Sequence, residues 1–191
     1  MAVRVSKGRI LVDIDDTLIN LCEVWVNELN RKYHLNVTTD DIKCWDMSVP
    51  FSSLTQKQIY KPLIEAKVWK KVKPISDSQY YLKKLVDDGY DVILVTSTDY
   101  RNIHYKYKYV INKFYSFINP KNIVICHRKN ILNADILVDD YIMNLLGGTY
   151  KGILFNSYHN KNIHEDKYGV TRSFGWEDTY NKINAFFNIK G

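Results

Sequence analysis

Five short runs of Val, Ile and Leu, each bounded by polar residues, constrain what this chain can fold into more than any other feature. They are Arg9-Ile10-Leu11-Val12-Asp13, Asp91-Val92-Ile93-Leu94-Val95-Thr96, Asn122-Ile123-Val124-Ile125-Cys126, Asp135-Ile136-Leu137-Val138-Asp139 and Gly152-Ile153-Leu154-Phe155. A short, continuous apolar run reads as a strand buried on both faces, and such strands belong to parallel sheets. Helical spacing fills the gaps between them. Leu82, Leu85 and Val86 make a stripe that ends at Gly89, a plausible helix stop. Ile103, Tyr107, Val110, Ile111, Phe114 and Ile118 repeat every three or four positions up to Pro120, and a last helix is expected after Trp176, burying Tyr180, Ile183 and Phe187. Strands alternating with helices predict an α/β domain with a five-stranded parallel sheet and helices on both faces.

The spacing of the runs is uneven. Residues 14–90 separate the first strand from the second, whereas a plain crossover needs only about a dozen residues. Inside that gap Leu21, Val24, Trp25, Leu29 and Tyr33 form one amphipathic stripe, and Ile59, Leu63, Ile64 and Val68 suggest a later one. A small helical lobe over residues 18–74 is therefore expected, inserted into a core made of residues 1–17 and 75–191. With 8 Gly and 4 Pro the chain has no long flexible linker, so the lobe is an insertion rather than a tethered module. At 191 residues, 46% of them apolar, the chain can bury a core without disulfides or a structural metal. Its 3 cysteines, Cys22, Cys44 and Cys126, are odd in number and scattered, which points to a reducing compartment. The charged stretch Met1–Lys7 is followed by no apolar segment, and no run approaches the ~18 residues of a membrane span. A cytoplasmic protein without a membrane partner is expected.

The chemistry is expected where the strands end. Asp13-Ile14-Asp15-Asp16-Thr17 closes the first strand, and alternation along extended chain points Asp13 and Asp15 the same way while Ile14 faces the core. Open parallel sheets bind ligands beyond the carboxyl ends of their strands. Three other strands end in polar groups: Thr96-Ser97-Thr98-Asp99, Asp139-Asp140 and Asn156-Ser157. Brought to one sheet edge, Asp13, Asp15, Asp139 and Asp140 would repel one another unless a cation sat among them. An all-oxygen site of this kind favours a hard ion such as Mg²⁺. Such a site suits phosphoryl transfer, in which a carboxylate nucleophile must approach a phosphate dianion while a hydroxyl and a lysine spread its charge.

The order Asp-x-Asp-x-Thr on the first strand, Thr or Ser closing a later strand, Lys on the next helix and Asp-Asp on a subsequent strand resembles the haloacid dehalogenase (HAD) superfamily of phosphatases. The insert directly after the first motif resembles a helical cap of the C1 type. A receiver domain uses similar groups in a different order. Closer still is the resemblance to the 5′(3′)-deoxyribonucleotidases, carried by residues 9–15, Ile93-Leu-Val-Thr-Ser97, Lys106-Tyr-Lys-Tyr-Val110, Arg128-Lys129, residues 134–140, Phe155-Asn-Ser-Tyr-His-Asn160 and Gly175-Trp-Glu-Asp178. Asp16 stands where many nucleotidases carry Gly, and Leu21 and Ile64 replace aromatic residues of the mammalian base pocket.

The resemblance implies a Rossmann-like HAD core and a Mg²⁺-dependent phosphomonoesterase of (deoxy)ribonucleoside monophosphates. It implies Asp13 as nucleophile and Asp15 as the acid that protonates the leaving oxygen and then the base that activates water. Thr96 would hold phosphoryl oxygens, Ser97 and Trp45 would meet the substrate, and Lys106 would be the active-site lysine, with Lys108 as its alternative. Asp139 would bind Mg²⁺ with the Asp13 side chain and the Asp15 carbonyl, and Asp140 would act through a water or from behind. Trp25 and Trp69 read as core, Trp176 as an anchor for the last helix, and His127 and His159 as surface or supporting groups.

Two rival readings stay open at this level. A HAD phosphatase of another small monoester, such as a sugar phosphate, would keep the chemistry and change the substrate. A nucleic-acid-binding protein with an inert acid cluster would use the net charge of +6. The basic residues are mostly dispersed, and the densest run, Lys67, Lys70, Lys71 and Lys73, reads as a solvated face or a weak attraction for anionic substrates. A small-molecule nucleotide rather than nucleic acid is the expected partner, and a homodimer is compatible with it.

Overall fold

A computed structural model describes residues 6–190. Residues 1–5 and 191, which the expected core boundaries include, lie outside the described residues. The strands are β1 (Arg9–Val12), β2 (Asp91–Thr96), β3 (Ile123–Ile125), β4 (Ile136–Asp139), β5 (Lys151–Phe155) and β6 (Thr171–Ser173). All pair in parallel in the order β3-β2-β1-β4-β5-β6. The order reverses beside β1, where Val12 is in register with Leu94 of β2 and Val138 of β4. That is the switch point at which doubly wound sheets open a crevice.

Among the described residues the sheet has six strands, not five. β6 escapes a search for apolar runs because it reads Thr-Arg-Ser; it lies at the sheet edge, and its buried Arg172 is satisfied by hydrogen bonds instead of apolar contact. The helices α1 (Leu21–Tyr33), α2 (Gln56–Tyr60), α3 (Ala66–Trp69), α4 (Ser78–Asp87), α5 (Ile103–Lys106), α6 (Asn112–Phe114) and α7 (Trp176–Lys190) complete the order. Gly89 stops α4 as expected, at φ +95°, with Tyr90 N–H returning to the Leu85 carbonyl. Two expected helices are broken. Pro62 and the extended Glu65 divide the later insert helix into α2, a 3₁₀ turn over Lys61–Ile64 and α3. A π turn over Tyr107–Ile111 separates α5 from α6, and the helix ends at Phe114.

Strand alternation divides the core. Ile10, Val12, Leu94, Val138, Ile153 and Phe155 face α4, the α5–α6 region and α7 through Leu82, Leu85, Val110, Ile111, Trp176 and Ile183. Leu11, Val95, Leu137 and Leu154 face the other way, onto Ile142, Leu145, Tyr150 and Val170. Among the described residues that second face is packed by the 3₁₀ turn Ile142–Leu145 and loops, not by α-helices as expected. The β4–β5 connection spans only residues 140–150, which is short for a crossover helix.

A third cluster, around Cys22, Trp25, Leu29, Ile42, Met47, Phe51 and Ile59, lies within the long β1–β2 excursion. The chain leaves and returns side by side: Ile19 bridges Pro74, Asn20 N–H donates to the Lys73 carbonyl, and Ile75 N–H donates to Leu18.

Trp176, the first residue of α7, is 1% exposed, packs on Phe155 and donates its indole N–H to the Thr17 carbonyl at 2.8 Å. It ties the last helix to the acidic loop. Trp176→Ala is expected to cost ~3–5 kcal/mol of stability, chiefly through the cavity it leaves, as read by urea unfolding. Trp176→Phe should cost less, because most of the ring volume remains.

Candidate active site

β1 ends at Val12, and Asp13 N–H still donates to the Val138 carbonyl, so the position of Asp13 is fixed by the last rung of the sheet. Ile14 then turns into the core at 0% exposure, leaving Asp13 and Asp15 at the carboxyl edge. Asp16 follows at φ +52°, and its carboxylate accepts the Cys22 N–H at the start of α1. From the two neighbouring strands come Thr96 at the end of β2 and Asp139-Asp140 at the end of β4, as their register with β1 requires.

Two buried lysines divide the acids between them. Lys106, at the end of α5, is 0% exposed; its Nζ lies 2.5 Å from Asp15 Oδ2, donates to Thr96 Oγ1 at 2.7 Å and sits over the Trp69 ring. Lys129, from the loop after β3, donates to Asp13 Oδ1 and, at 2.6 Å, to Asp139 Oδ2. The second lysine has no assigned role in the sequence reading. Arg128-Lys129 contributes there only to the resemblance, because a loop lysine a few residues before a strand looks like any solvated one. Its place beyond a sheet strand and just ahead of the acid pair was the available signal. Lys108, the alternative to Lys106, is exposed and lies over the Tyr109 ring, whereas Lys106 is the one paired with Asp15.

The paired acids differ in what holds them. Asp139 is saturated: it accepts Tyr141 N–H at 2.9 Å, the Asn144 amide at 3.1 Å and Lys129. Asp140 is 1% exposed, and among the described residues neither of its carboxylate oxygens has a hydrogen-bond partner. His159 Nε2 approaches one of them at 3.4 Å, but burial drives the imidazole pKa down to about 4, against a hydrogen bond to the Asp140 carbonyl. His159 is therefore neutral near pH 7, and the approach is not an ion pair.

Burial also dominates the acids. It pushes Asp13 up to about 6 against the pull of Lys129, and Asp16 up to about 8. It raises Asp15 against Lys106, and raises Asp140 well above the usual range with Asp13 and Asp139 adding to the effect. Lys129 is shifted up: burial opposes its charge, but Asp13 and Asp139 outweigh it.

One carboxylate oxygen each from Asp13, Asp139 and Asp140 lies within 4.8 Å of the others. Three carboxylates against the single ammonium of Lys129 leave two negative charges when all are ionised. With the unpartnered Asp140 oxygens, this hard-oxygen donor set fits a divalent cation of the Mg²⁺ class.

Next to the acids opens a cavity of about 280 Å³. Asp15, Asp16, Ser97 and Asn102 supply polar wall, and Leu21, Trp25, Trp45, Met47, Tyr60, Ile64 and Trp69 supply apolar wall. Trp25 and Trp69 are buried as expected of core and still face this space. Trp45 is 48% exposed, stacks on Tyr141 at 4.4 Å and meets His159 edge-on, so it bridges the excursion and the sheet edge. Ser97 donates to the Cys126 carbonyl, and exposed His127 lies at the cavity wall. The lysine run is compensated locally: Lys67, Lys71 and Arg31 surround Glu28, which is 1% exposed.

Residues 7–187 match the family described as 5′ nucleotidase, deoxy (Pyrimidine), cytosolic type C protein. A 5′(3′)-deoxyribonucleotidase of Clostridium acetobutylicum is 32% identical over 158 residues, covering 82% of this chain and 86% of that protein. The Bacillus subtilis 5′(3′)-deoxyribonucleotidase is 31% identical over 178 residues, covering 93% and 99%. Among solved structures, a putative phosphoglycolate phosphatase from Lactobacillus delbrueckii subsp. bulgaricus shares the fold with a TM-score of 0.67 at 11% identity, covering 94% and 99%. A haloacid dehalogenase-like hydrolase from Streptococcus pneumoniae does so at 0.65 and 12%, covering 92% and 98%.

Proposed function

The chain belongs to the 5′ nucleotidase, deoxy (Pyrimidine), cytosolic type C family, and on that premise we propose that it hydrolyses deoxyribonucleoside monophosphates through an aspartyl phosphate on Asp13. The supporting observation is one cavity with two characters. Asp15, Asp16 and the hydroxyls of Ser97 and Thr98 share its wall with aromatic and aliphatic side chains, and buried Lys106 pairs with the Asp15 carboxylate, which suits a ligand with an anionic phosphate and a flat apolar base. Residues 18–74 act as the cap that supplies most of that apolar wall, and Trp45 at its rim stacks the base.

Asp13 attacks phosphorus and the bond to the nucleoside oxygen breaks, with Asp15 giving that oxygen its proton. Water then attacks the phosphoaspartate, Asp15 takes a proton back, and inorganic phosphate leaves a free Asp13 carboxylate. Asp15 must begin protonated, and its burial works in that direction while Lys106 works against it. Thr96 accepts from Lys106, so its own hydroxyl proton is free for a phosphoryl oxygen. Lys129 holds the nucleophile and Asp139 together and limits their repulsion.

Asp13 and Asp140, with the Asp15 backbone carbonyl, would hold Mg²⁺. The partnerless oxygens of Asp140 and the saturated ones of Asp139 favour Asp140 as the direct ligand, with Asp139 positioning Lys129. The bound ion supplies the positive charge that lets a carboxylate approach a phosphate dianion. Among the described residues no helix is long and apolar enough to cross a membrane, and the reading is of a cytoplasmic enzyme of small nucleotides.

Phosphate release from a panel of monophosphates in Mg²⁺ tests the assignment. dTMP and dUMP are expected to turn over faster than sugar phosphates, and EDTA to stop the reaction until Mg²⁺ is restored. Faster hydrolysis of a sugar phosphate overturns the substrate class.

A further inference from the structure

Asn160 ends the 3₁₀ turn Tyr158–Asn160 and is 0% exposed. Its Nδ2 donates to the Asp140 carbonyl at 2.7 Å and to the Phe155 carbonyl at 2.8 Å. Its Oδ1 accepts Ser157 N–H at 3.1 Å and Arg172 Nη1 at 2.9 Å. Both donors and both acceptor sites of the amide are used, and the two carbonyls on one side and two N–H donors on the other leave a single orientation. Arg172 is itself fully engaged. Its Nε meets Glu165, one terminal nitrogen meets Asn156 and Asn160 side chains, and the other meets the Asn160 and Ile163 carbonyls. That accounts for all five of its N–H donors.

This network ends on the main chain of Asp140, whose carbonyl His159 Nε2 also approaches at 3.1 Å. Among the described residues the Asp140 carboxylate has no hydrogen-bond partner of its own. With no side-chain partner to place it, the carboxylate depends on the backbone that carries it, and a residue that holds that carbonyl holds the position from which the two oxygens reach. Nothing in the nucleotidase chemistry requires a buried, saturated amide at position 160.

We propose that Asn160, locked by Arg172, is a positioning residue that sets the divalent-ion affinity of the site through Asp140. The inference rests on the reading of Asp140 as a metal ligand. Groups behind a metal ligand typically change affinity 10–100-fold when removed.

The test is Mn²⁺ titration of the full chain, followed by the electron paramagnetic resonance of the free ion with Mg²⁺ as competitor, at a temperature where circular dichroism shows each variant folded. Asn160→Ala should weaken Mn²⁺ and Mg²⁺ binding roughly 10–100-fold. Thr179→Val, which removes a buried hydrogen bond to Ser173 remote from the acids, should leave binding unmoved. Asp140→Asn separates the two readings. If it binds the ions normally, the metal assignment itself falls. If it loses them while Asn160→Ala binds like the parent, only the positioning role is overturned. Should Asn160→Ala not fold, Asn160→Ser takes its place, retaining a donor for one carbonyl, and unchanged affinity in that variant overturns the proposal equally.

Discussion

Asp13→Asn is expected to lower turnover by about 10⁴-fold or more while leaving the protein folded and able to bind nucleotide. The size follows from losing a covalent route: an amide does not replace a carboxylate as nucleophile, and removing the nucleophile of a covalent enzyme collapses the whole sequence of steps. The fold should not suffer. Burial already pushes the Asp13 carboxyl up to about 6, so its ionised form is an expense to the native state, and a neutral side chain of the same shape removes it. Lys129 keeps Asp139 at 2.6 Å. Acid-quenched single turnovers check the point directly, since the parent should retain phosphate on the chain and the variant should not. A variant that keeps more than a few per cent of the parent rate removes Asp13 from the role of nucleophile.

Lys129→Met carries the second large effect, with opposite pH dependences for stability and rate. At neutral pH and without metal, Asp13 and Asp139 are left buried beside each other with no cation, which costs about 3–5 kcal/mol for a broken buried pair. Lys129 pulls the Asp13 pKa down, so without it that pKa rises above about 6. A folded-state acid raised above its ordinary 3.8 takes up a proton on folding between the two values. The parent gains in the same way below about 6, so the stability deficit of the variant should shrink as pH falls from the variant's own higher value to about 6 and stay level below it. Turnover needs the carboxylate and should move the other way, with the acid limb of the rate profile displaced to higher pH and a residual rate that grows with alkalinity. Urea unfolding in EDTA and a pH–rate profile in Mg²⁺ read the two halves. Parent-like behaviour in both assigns Lys129 no part in the site.

How far the sequence discloses this site depends on how local each signal is. Asp13, Asp15, Thr96, Asp139 and Asp140 are legible because a buried strand announces itself by its apolar run, and the residues just past its end have only one sheet edge to occupy. Lys129 is not, since a lysine declares its burial only when a carboxylate from another strand is known to meet it. β6 is missed because Arg172 is buried by hydrogen bonds, which no apolar pattern records. The break at Tyr107–Ile111 is invisible for a different reason: three- and four-residue spacing is shared by an α-helix and by one carrying a π turn. The division of labour between Asp139 and Asp140 also lies beyond the sequence, because two adjacent identical residues differ only in the neighbours that three dimensions bring them.

The seam where Ile19 bridges Pro74 and Asn20 meets Lys73 means that both ends of the excursion are sewn to each other before they reach the sheet. Beyond the stitch the excursion meets the rest of the fold through a limited set of side chains, including Val68, Trp69 and Val72 in the sheet's own core and Trp45 against Tyr141, while its third cluster packs largely on itself. None of those contacts is a rung of the ladder, so a relative that remade them could carry a different upper piece over the same sheet. On the proposed function, taste for a substrate and the power to cleave it would then be inherited separately.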